Sequence, residues 1–432
     1  MTAKIGIIGE HKPGEGRIPL IPSQIQKLQS ENPDLEFAVL SSEQRVFQDK
    51  EFTDLGLNIT DDISGSNLVM AVKEIDNKDL HGETAYIYFS HTIKGQDYNM
   101  GMLQHLLDVG ATLIDYELIK DSADRRLVFF GRHAGLAGMV NSLWSYGQRL
   151  QVLGTESPFL DIKQAIEYPD LDGVKAAFKK LGPKLETWLA DKPALVVGIT
   201  GYGNVSQGAQ EILDLMPLVE IPATELLSGN MEKYSGKLVK IVFKESDMFQ
   251  PVDSNSDFDL NDYFSHPEKY QSKFNPYIAQ MDILVNCIYW DTPCPRLITL
   301  DEIRTHYRGT PRLLVVGDIT CDIDGSIQFN TGATLSPEPV YVYHPETHER
   351  SMGFEGEGPL VMAVDNLPTE LPREASEAFG SVLIPFVPQM GACDYRKSFA
   401  DLDLPPEVKR AVITHQGFLT PEFQYLTKYL KA

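Results

Sequence analysis

The sequence predicts an α/β protein with two doubly wound units. Three observations support this. Short apolar runs rich in β-branched residues alternate with helical stretches in both halves of the chain. One such run feeds a glycine turn that opens directly into a helix, over residues 194–215. Ionisable side chains recur where the apolar runs of the first half end, which is where open α/β sheets bind ligands.

Taken in order, Lys4–Ile8 is β-prone and is followed by the polar loop 9–17. Residues 18–28 open a helix for which Ser23 is a suitable cap. Phe37–Leu40, Asn67–Lys73, Thr84–Ser90 and Thr112–Asp115 read as strands, and Met102–Val109 as a helix. The small-residue stretch Gly131–Trp144 predicts a long helix that leaves the first unit for the second. Val239–Phe243, Met281–Trp290 and Arg312–Thr320 read as strands, and Pro339–Tyr343 as an edge or hairpin piece. Residues 253–274, polar and aromatic, read as a surface insertion. Helices are expected at 373–388, 407–413 and 421–430, the last two packing back on the first unit. The expected domains are 1–135 with about 365–432, and 136–364.

Residues 194–199 form a buried strand, Gly201 and Gly203 the turn, and 205–215 the helix. Gly201 permits a tight turn, Gly203 lets backbone approach a pyrophosphate, and the helix N-terminus from Val205 offers free N–H groups and a positive dipole end. The third glycine of the usual dinucleotide fingerprint is replaced by Ser206, small enough for close packing of the helix. The fold expected is therefore two Rossmann-like doubly wound domains flanking a cleft.

The 432 residues carry a formal net charge of −23, with no extended basic face, so a nucleic-acid or acidic-membrane partner is not expected. No apolar run reaches the roughly 18 residues of a membrane span. Cys287, Cys294, Cys321 and Cys393 have no C-x-x-C pairing, which argues against a disulfide framework or a metal site and for buried thiols in a reducing compartment. With no signal peptide evident, the expected location is the cytoplasm. The sequence is compatible with a homo-oligomer.

In the first half, Arg17, the pair Lys73-Glu74, His91 and Glu117 stand on loops that leave apolar runs. A lysine near other cations loses its proton more readily and serves as a base, and a histidine passes protons near neutral pH.

The residues Phe89–Lys94, Leu113–Glu117, Ala134–Met139, Gly203–Gln210, Ile288–Trp290, Asp318–Thr320 and Val364–Pro372 together resemble the alanine dehydrogenase and pyridine nucleotide transhydrogenase superfamily. Within it, nearly the whole chain resembles the lysine–ketoglutarate reductase domain of aminoadipic semialdehyde synthase, a saccharopine dehydrogenase of the lysine-forming type. The resemblance implies condensation of L-lysine with 2-oxoglutarate and reduction of the imine to saccharopine by NAD(P)H, with a nicotinamide held over the imine carbon in the cleft. It makes Lys73 the proton-accepting lysine and His91 the acid–base histidine. Arg17 and Arg126 match holders of substrate carboxylates, which suits a product with three of them. Gln96 and Phe130 match substrate contacts, and Arg125 a cofactor contact. Lys12, Glu15, Glu74 and Glu117 match groups that tune Lys73 and His91. Gly203, Asn204 and Asp318-Ile319 match cofactor-binding backbone, while Ile288, Tyr289 and Trp290 stand where the family packs nicotinamide and substrate.

Lys73-Glu74 is similar to the fungal single-function enzymes, whereas arginine commonly follows the lysine in the animal and plant reductase domain. The second domain of the bifunctional enzyme is not expected here, so product would pass to another protein. The strand after the glycine helix is expected at residues 218–222, with Glu220 and Glu225 as acids to read the adenosine ribose. An acid there favours NAD, and the reductase resemblance implies NADP. The rival readings are another amino-acid or opine dehydrogenase of the superfamily, and a non-catalytic nucleotide-binding regulatory module.

Overall fold

The computed structural model describes residues 3–309 and 311–430. The chain forms two units, one running to Phe130 and resuming at Pro372, the other Gly131–Leu371. In the first unit, β1 (Ala3–Ile7), β2 (Leu35–Leu40), β3 (Ile59–Thr60), β4 (Leu68–Met70), β5 (Ala85–Tyr88) and β6 (Thr112–Asp115) lie parallel in the order β6-β5-β4-β1-β2-β3. β4, β5 and β6 are buried along their whole length, as parallel strands covered on both faces must be. Parallel pairing brings every carboxyl end to one edge, so the loops after β1, β4, β5 and β6 emerge together. The helix Pro22–Glu31 starts with proline at its first position. Ser23 is therefore inside the helix rather than its cap, and the Gln24 side chain accepts the Ile21 N–H at 3.0 Å instead.

The second unit holds β7 (Leu195–Thr200), β8 (Val219–Glu220), β9 (Leu238–Phe243), β10 (Phe249–Pro251), β11 (Tyr270–Ser272), β12 (Ile283–Asn286), β13 (Val315–Asp318), β14 (Val340–His344), β15 (Glu349–Met352) and β16 (Leu360–Met362). Its main sheet runs β15-β14-β16-β13-β12-β7-β9-β8, parallel from β8 to β16, with β14 and β15 as an antiparallel hairpin at one edge. The strand that follows the glycine helix, β8, is displaced to the opposite edge, and β9 takes the place beside β7. The 253–274 excursion, bounded by β10 and β11, is largely exposed, as expected of a surface insertion, and its buried Tyr263, Tyr270 and Phe274 pin it to the unit.

The small-residue helix extends over Gly131–Val152, and Gly131 is where the second unit begins. A Cβ on Gly135 would stand 1.9 Å from the Val205 carbonyl oxygen, and one on Gly208 2.0 Å from that of Arg132. This helix and the Asn204–Leu213 helix thus touch backbone to backbone. These two glycines make the helix-to-helix approach, and Ser206, expected to let its helix pack closely on the strand, is fully buried.

The returning segment corrects three expectations. The 373–388 helix is interrupted around Pro385, giving Pro372–Leu383 and Val387–Ala392. The expected 407–413 helix shrinks to Pro406–Lys409, and β17 (Val412–His415) pairs antiparallel with β6, since Val-Ile-Thr is a β-branched run. β18 (Phe418–Leu419) completes that edge, and Pro421–Tyr429 is 3-10 rather than α-helical. The four cysteines are free thiols, but only Cys393 is fully buried. Among the described residues no helix is long and apolar enough to cross a membrane.

Candidate active site

In the first unit the loops after β1, β4, β5 and β6 deliver Glu15 and Arg17, Lys73 and Glu74, His91, and Glu117 to the same sheet edge. His91 Nδ1 lies 2.5 Å from Glu74 Oε1, which also accepts from Asn99 Nδ2 at 3.1 Å. Burial would raise the Glu74 carboxyl, but the His91 contact, its backbone hydrogen bond and Asn99 hold it down to about 2. Lys73 is half-buried, and its ammonium has no hydrogen-bond or ion-pair partner among the described residues. Burial first, then the charges of Arg17 and Lys12, lower its pKa, against the opposing pull of Glu15 and Glu74. A lysine in that state offers a neutral amine more readily than an exposed one.

Arg17 is 2% exposed, and its Nε and Nη2 meet the two carboxylate oxygens of Glu15 at 2.7 and 2.5 Å. Its guanidinium lies 4.1 Å from the centroid of Phe130, which stacks on Phe379. Burial would raise Glu15, but the Arg17 charge and hydrogen bonds bring it below its ordinary value. Arg126 donates to Glu117 at 3.2 Å and to the Val128 carbonyl at 2.8 Å, with Phe89 5.4 Å beneath its guanidinium. Gln96 stands at the N-cap position of the next helix, and its Oε1 accepts from the Lys94 N–H of the preceding loop at 3.0 Å. Lys12 is exposed and joins the cluster through its charge. Arg125 sits apart on an exposed turn, paired with Asp121 at 2.7 Å.

Asp115, Asn99 and Glu10 carry no sequence signal beyond position, yet each shapes the site. Asp115 is fully buried at the end of β6 and accepts the Ser90 N–H at 3.1 Å, the Ser90 hydroxyl, and the Glu117 N–H at 2.8 Å. It thereby ties the start of the His91 loop to the start of the Glu117 loop. Asn99 links the Ser90 carbonyl to Glu74. The Glu10 carboxylate accepts from the backbone of Val72 and Lys73. A cavity of about 920 Å³ in this unit shares no lining residue with the cluster.

In the second unit, Gly201 adopts φ +74°, closed to ordinary side chains, and a Cβ on Gly203 would point into open space. The N–H groups of Asn204, Val205 and Ser206 open a ten-residue helix and have no intrahelical acceptor. A turn bare of side chains beneath a helix N-terminus fits a dinucleotide pyrophosphate. Ile288 packs against Gly201, Ile319 is buried against Gly138, and Tyr289 is 76% exposed. Asp318 is fully buried. It accepts from Asn286 at 2.8 Å, Thr320 at 3.0 Å and Asn330 at 2.7 Å, and Asn286 in turn accepts from Thr200 at 2.9 Å. Its side chain therefore braces the ends of β7, β12 and β13 and is closed to direct contact with a ligand.

Neither acid expected at the ribose is at the glycine turn. Glu220 pairs with buried Lys240 at 2.9 Å and Glu225 with Lys233 at 2.5 Å. The Phe243 carbonyl at the end of β9 accepts the Gly201 N–H at 2.8 Å, so the residues after Phe243 flank the turn. Glu245 is the acid there, and its charge and hydrogen bond raise the Tyr202 phenol.

Residues 6–137 match the model of the alanine dehydrogenase/PNT N-terminal domain. The chain is 35% identical to the alpha-aminoadipic semialdehyde synthase of Arabidopsis thaliana, over 99% of this chain and 42% of that protein. It is 34% identical to the mitochondrial alpha-aminoadipic semialdehyde synthase of Rattus norvegicus, over 96% and 46%. The NAD(+)-named, L-lysine-forming saccharopine dehydrogenase of Yarrowia lipolytica is 28% identical over 90% of this chain and 93% of its own length. The chain thus spans less than half the length of the synthases it matches. In fold it is similar to an L-alanine dehydrogenase, with a TM-score of 0.63 at 16% identity over 99% of this chain and 100% of that one. The Sinorhizobium meliloti transhydrogenase follows at 0.52 and 16%, over 97% and 100%.

Proposed function

We propose that this chain, whose residues 6–137 match the alanine dehydrogenase/PNT N-terminal domain and which is similar to the aminoadipic semialdehyde synthases and the lysine-forming saccharopine dehydrogenases, forms saccharopine from L-lysine and 2-oxoglutarate, and the reverse. The observation that carries this reading is a half-buried Lys73, without an ion-pair partner among the described residues, beside the His91–Glu74 pair on one sheet edge. We assign substrate binding and proton handling to the first unit and dinucleotide binding to the second.

Neutral Lys73 takes a proton from the incoming ε-ammonium, freeing the amine to attack the oxo carbon of 2-oxoglutarate. His91, held by Glu74, gives a proton to the hydroxyl that leaves as water when the imine forms, and takes one back in the reverse direction. Arg17 and Arg126 hold substrate carboxylates. Arg17 does so by exchanging or sharing its Glu15 partner, which keeps the guanidinium oriented over Phe130 until then. A bound nicotinamide, when reduced, supplies the hydride that converts the imine carbon to the secondary amine. Gly201, Gly203 and the amides from Asn204 would hold its pyrophosphate, with Ile288 and Ile319 as apolar walls and the Asp318 network beneath.

For the dinucleotide, likeness to the reductase domain supports NADP. Glu245 beside the glycine turn favours NAD, because a carboxylate there repels a 2′-phosphate. Four free thiols support a reducing compartment, which we take to be the cytoplasm.

Purified protein given lysine, 2-oxoglutarate and NADPH or NADH should oxidise the dinucleotide. No turnover with any amine and oxo-acid pair ends the proposal, and equal use of ammonia in place of lysine moves it to the alanine type. Lys73→Met should slow turnover about 100-fold or more while leaving dinucleotide affinity unchanged.

A further inference from the structure

β1 ends at Ile7 and its chain leaves the sheet, whereas the chain of β4 runs on past Met70 into a bend at Val72 and Lys73. The bend turns two consecutive peptide N–H groups toward the space β1 has vacated, where no strand remains to accept them. The Glu10 side chain fills it. Its Oε1 accepts the Val72 N–H at 2.6 Å and its Oε2 the Lys73 N–H at 2.9 Å, one oxygen for each amide. Glu10 is itself anchored, because Gln44 Nε2 donates to the carbonyls of Glu10, Lys12 and Glu15 at 3.2, 2.8 and 3.0 Å.

We propose that Glu10 is a positioning residue whose carboxylate, clamping the two amides, sets where the Lys73 side chain stands relative to Glu74 and His91. The inference rests on the reading of Lys73 as the proton-handling lysine. The charged and titratable groups facing the clamp are Glu15 and Arg17 from its own loop, Lys73 from the β4 side, and Tyr116 from the end of β6, whose buried hydroxyl makes no hydrogen bond among the described residues. Burial pushes the Glu10 carboxyl up to about 8, with Glu15 adding to the rise and the two amides and Arg17 opposing it. Protonation puts a hydrogen on an oxygen that must accept one, so the grip on Lys73 is complete only above that range and weakens as pH falls through it, and the variants below are compared on its alkaline side.

Glu10→Gln keeps the size but turns an NH2 toward a backbone N–H. We expect its kcat to fall about 10- to 100-fold with dinucleotide affinity intact, since small misplacements of a reacting group cost that much. Glu10→Asp keeps the charge and should restore part of the loss. In a Lys73→Met background the same Glu10→Gln change should alter the rate by less than about twofold, because the residue it positions is gone. Equal losses in both backgrounds overturn the proposal in favour of a merely structural role. A second readout needs no turnover: competitive amine labelling of Lys73, followed by mass spectrometry from neutral to strongly alkaline pH. Glu10→Gln should shift the Lys73 profile and leave Lys4 and Lys27 unchanged. An unshifted Lys73 profile in a folded variant overturns the proposal even if the wild type forms no saccharopine, and a shifted profile in an inactive wild type fails only the functional reading.

Discussion

His91 Nδ1 stands 2.5 Å from Glu74 Oε1 while the His91 backbone is held at φ +48°, in the left-handed region. That conformation costs on the order of 1 kcal/mol or more for a residue with a Cβ and persists only where neighbours enforce it. Here the neighbours are Asp115, which fixes Ser90, and Asn99, which fixes both the Ser90 carbonyl and Glu74. An ionised carboxylate only accepts, so Nδ1 carries the hydrogen toward Glu74 and Nε2 is left to exchange protons.

Glu74→Gln should therefore lower kcat about 10- to 100-fold, a share of the 10²–10⁴-fold that a positioned acid–base group contributes. Dinucleotide affinity should not change. The substitution also has a stability signature. The folded carboxyl, held at about 2, lies below its ordinary value of 4.5. Its stabilisation is complete above the ordinary carboxylate range and is lost as pH falls through about 2. Thermal melts of wild type and variant should differ most at neutral pH and converge under strong acid. A gap that persists unchanged into acid contradicts the assignment.

Lys12 acts on Lys73 by charge alone. Removing that charge makes protonated Lys73 easier to keep, so its pKa rises and the neutral amine appears only at higher pH. Lys12→Gln should move the acidic limb of the kcat/KM profile to higher pH. At neutral pH the rate should drop about two- to threefold, at alkaline pH it should match the wild type, and added salt should narrow the difference. A uniform loss across pH assigns Lys12 to substrate contact instead.

The parallel sheets, the glycine turn and the strand-end positions of Lys73, Glu74 and His91 were legible because each is a local pattern: an apolar run, a turn residue, then an ionisable group. What was not legible depends on partners distant in sequence. Val412–His415 is a strand because β6 has a free edge to offer it, a fact outside its own window. Glu220 looks like a ribose reader until β8 is found at the sheet edge, with Lys240 holding the acid. Glu10 and Asp115 are ordinary acids in sequence, and their roles come from the amide groups that the fold turns toward them.

The contact between the Gly131–Val152 and Asn204–Leu213 helices has no room for any side chain at Gly135. Gly135→Val should destabilise the second unit by about 1–3 kcal/mol or more through overpacking. The displaced Val205 carbonyl belongs to the first turn of the dinucleotide helix, so binding should suffer alongside stability. A Gly135→Val variant that keeps both wild-type melting temperature and wild-type NADH affinity would show that the helices are not in contact.

Glu245 is tied to the glycine turn through Tyr202. A carboxylate next to the adenosine ribose accepts from its hydroxyls but repels a phosphate on the 2′ position, so its charge sets the ratio between the two dinucleotides more than the affinity for either. Glu245→Gln should raise the ratio of kcat/KM for NADPH over NADH about tenfold, whichever the wild type prefers, and the gain should shrink with added salt as the repulsion is screened. The same substitution at Glu220 should leave the ratio unchanged, because that acid stands on the edge strand β8, engaged by Lys240 of β9. A ratio that responds to Glu220 and not to Glu245 would return the ribose site to the strand expected from sequence.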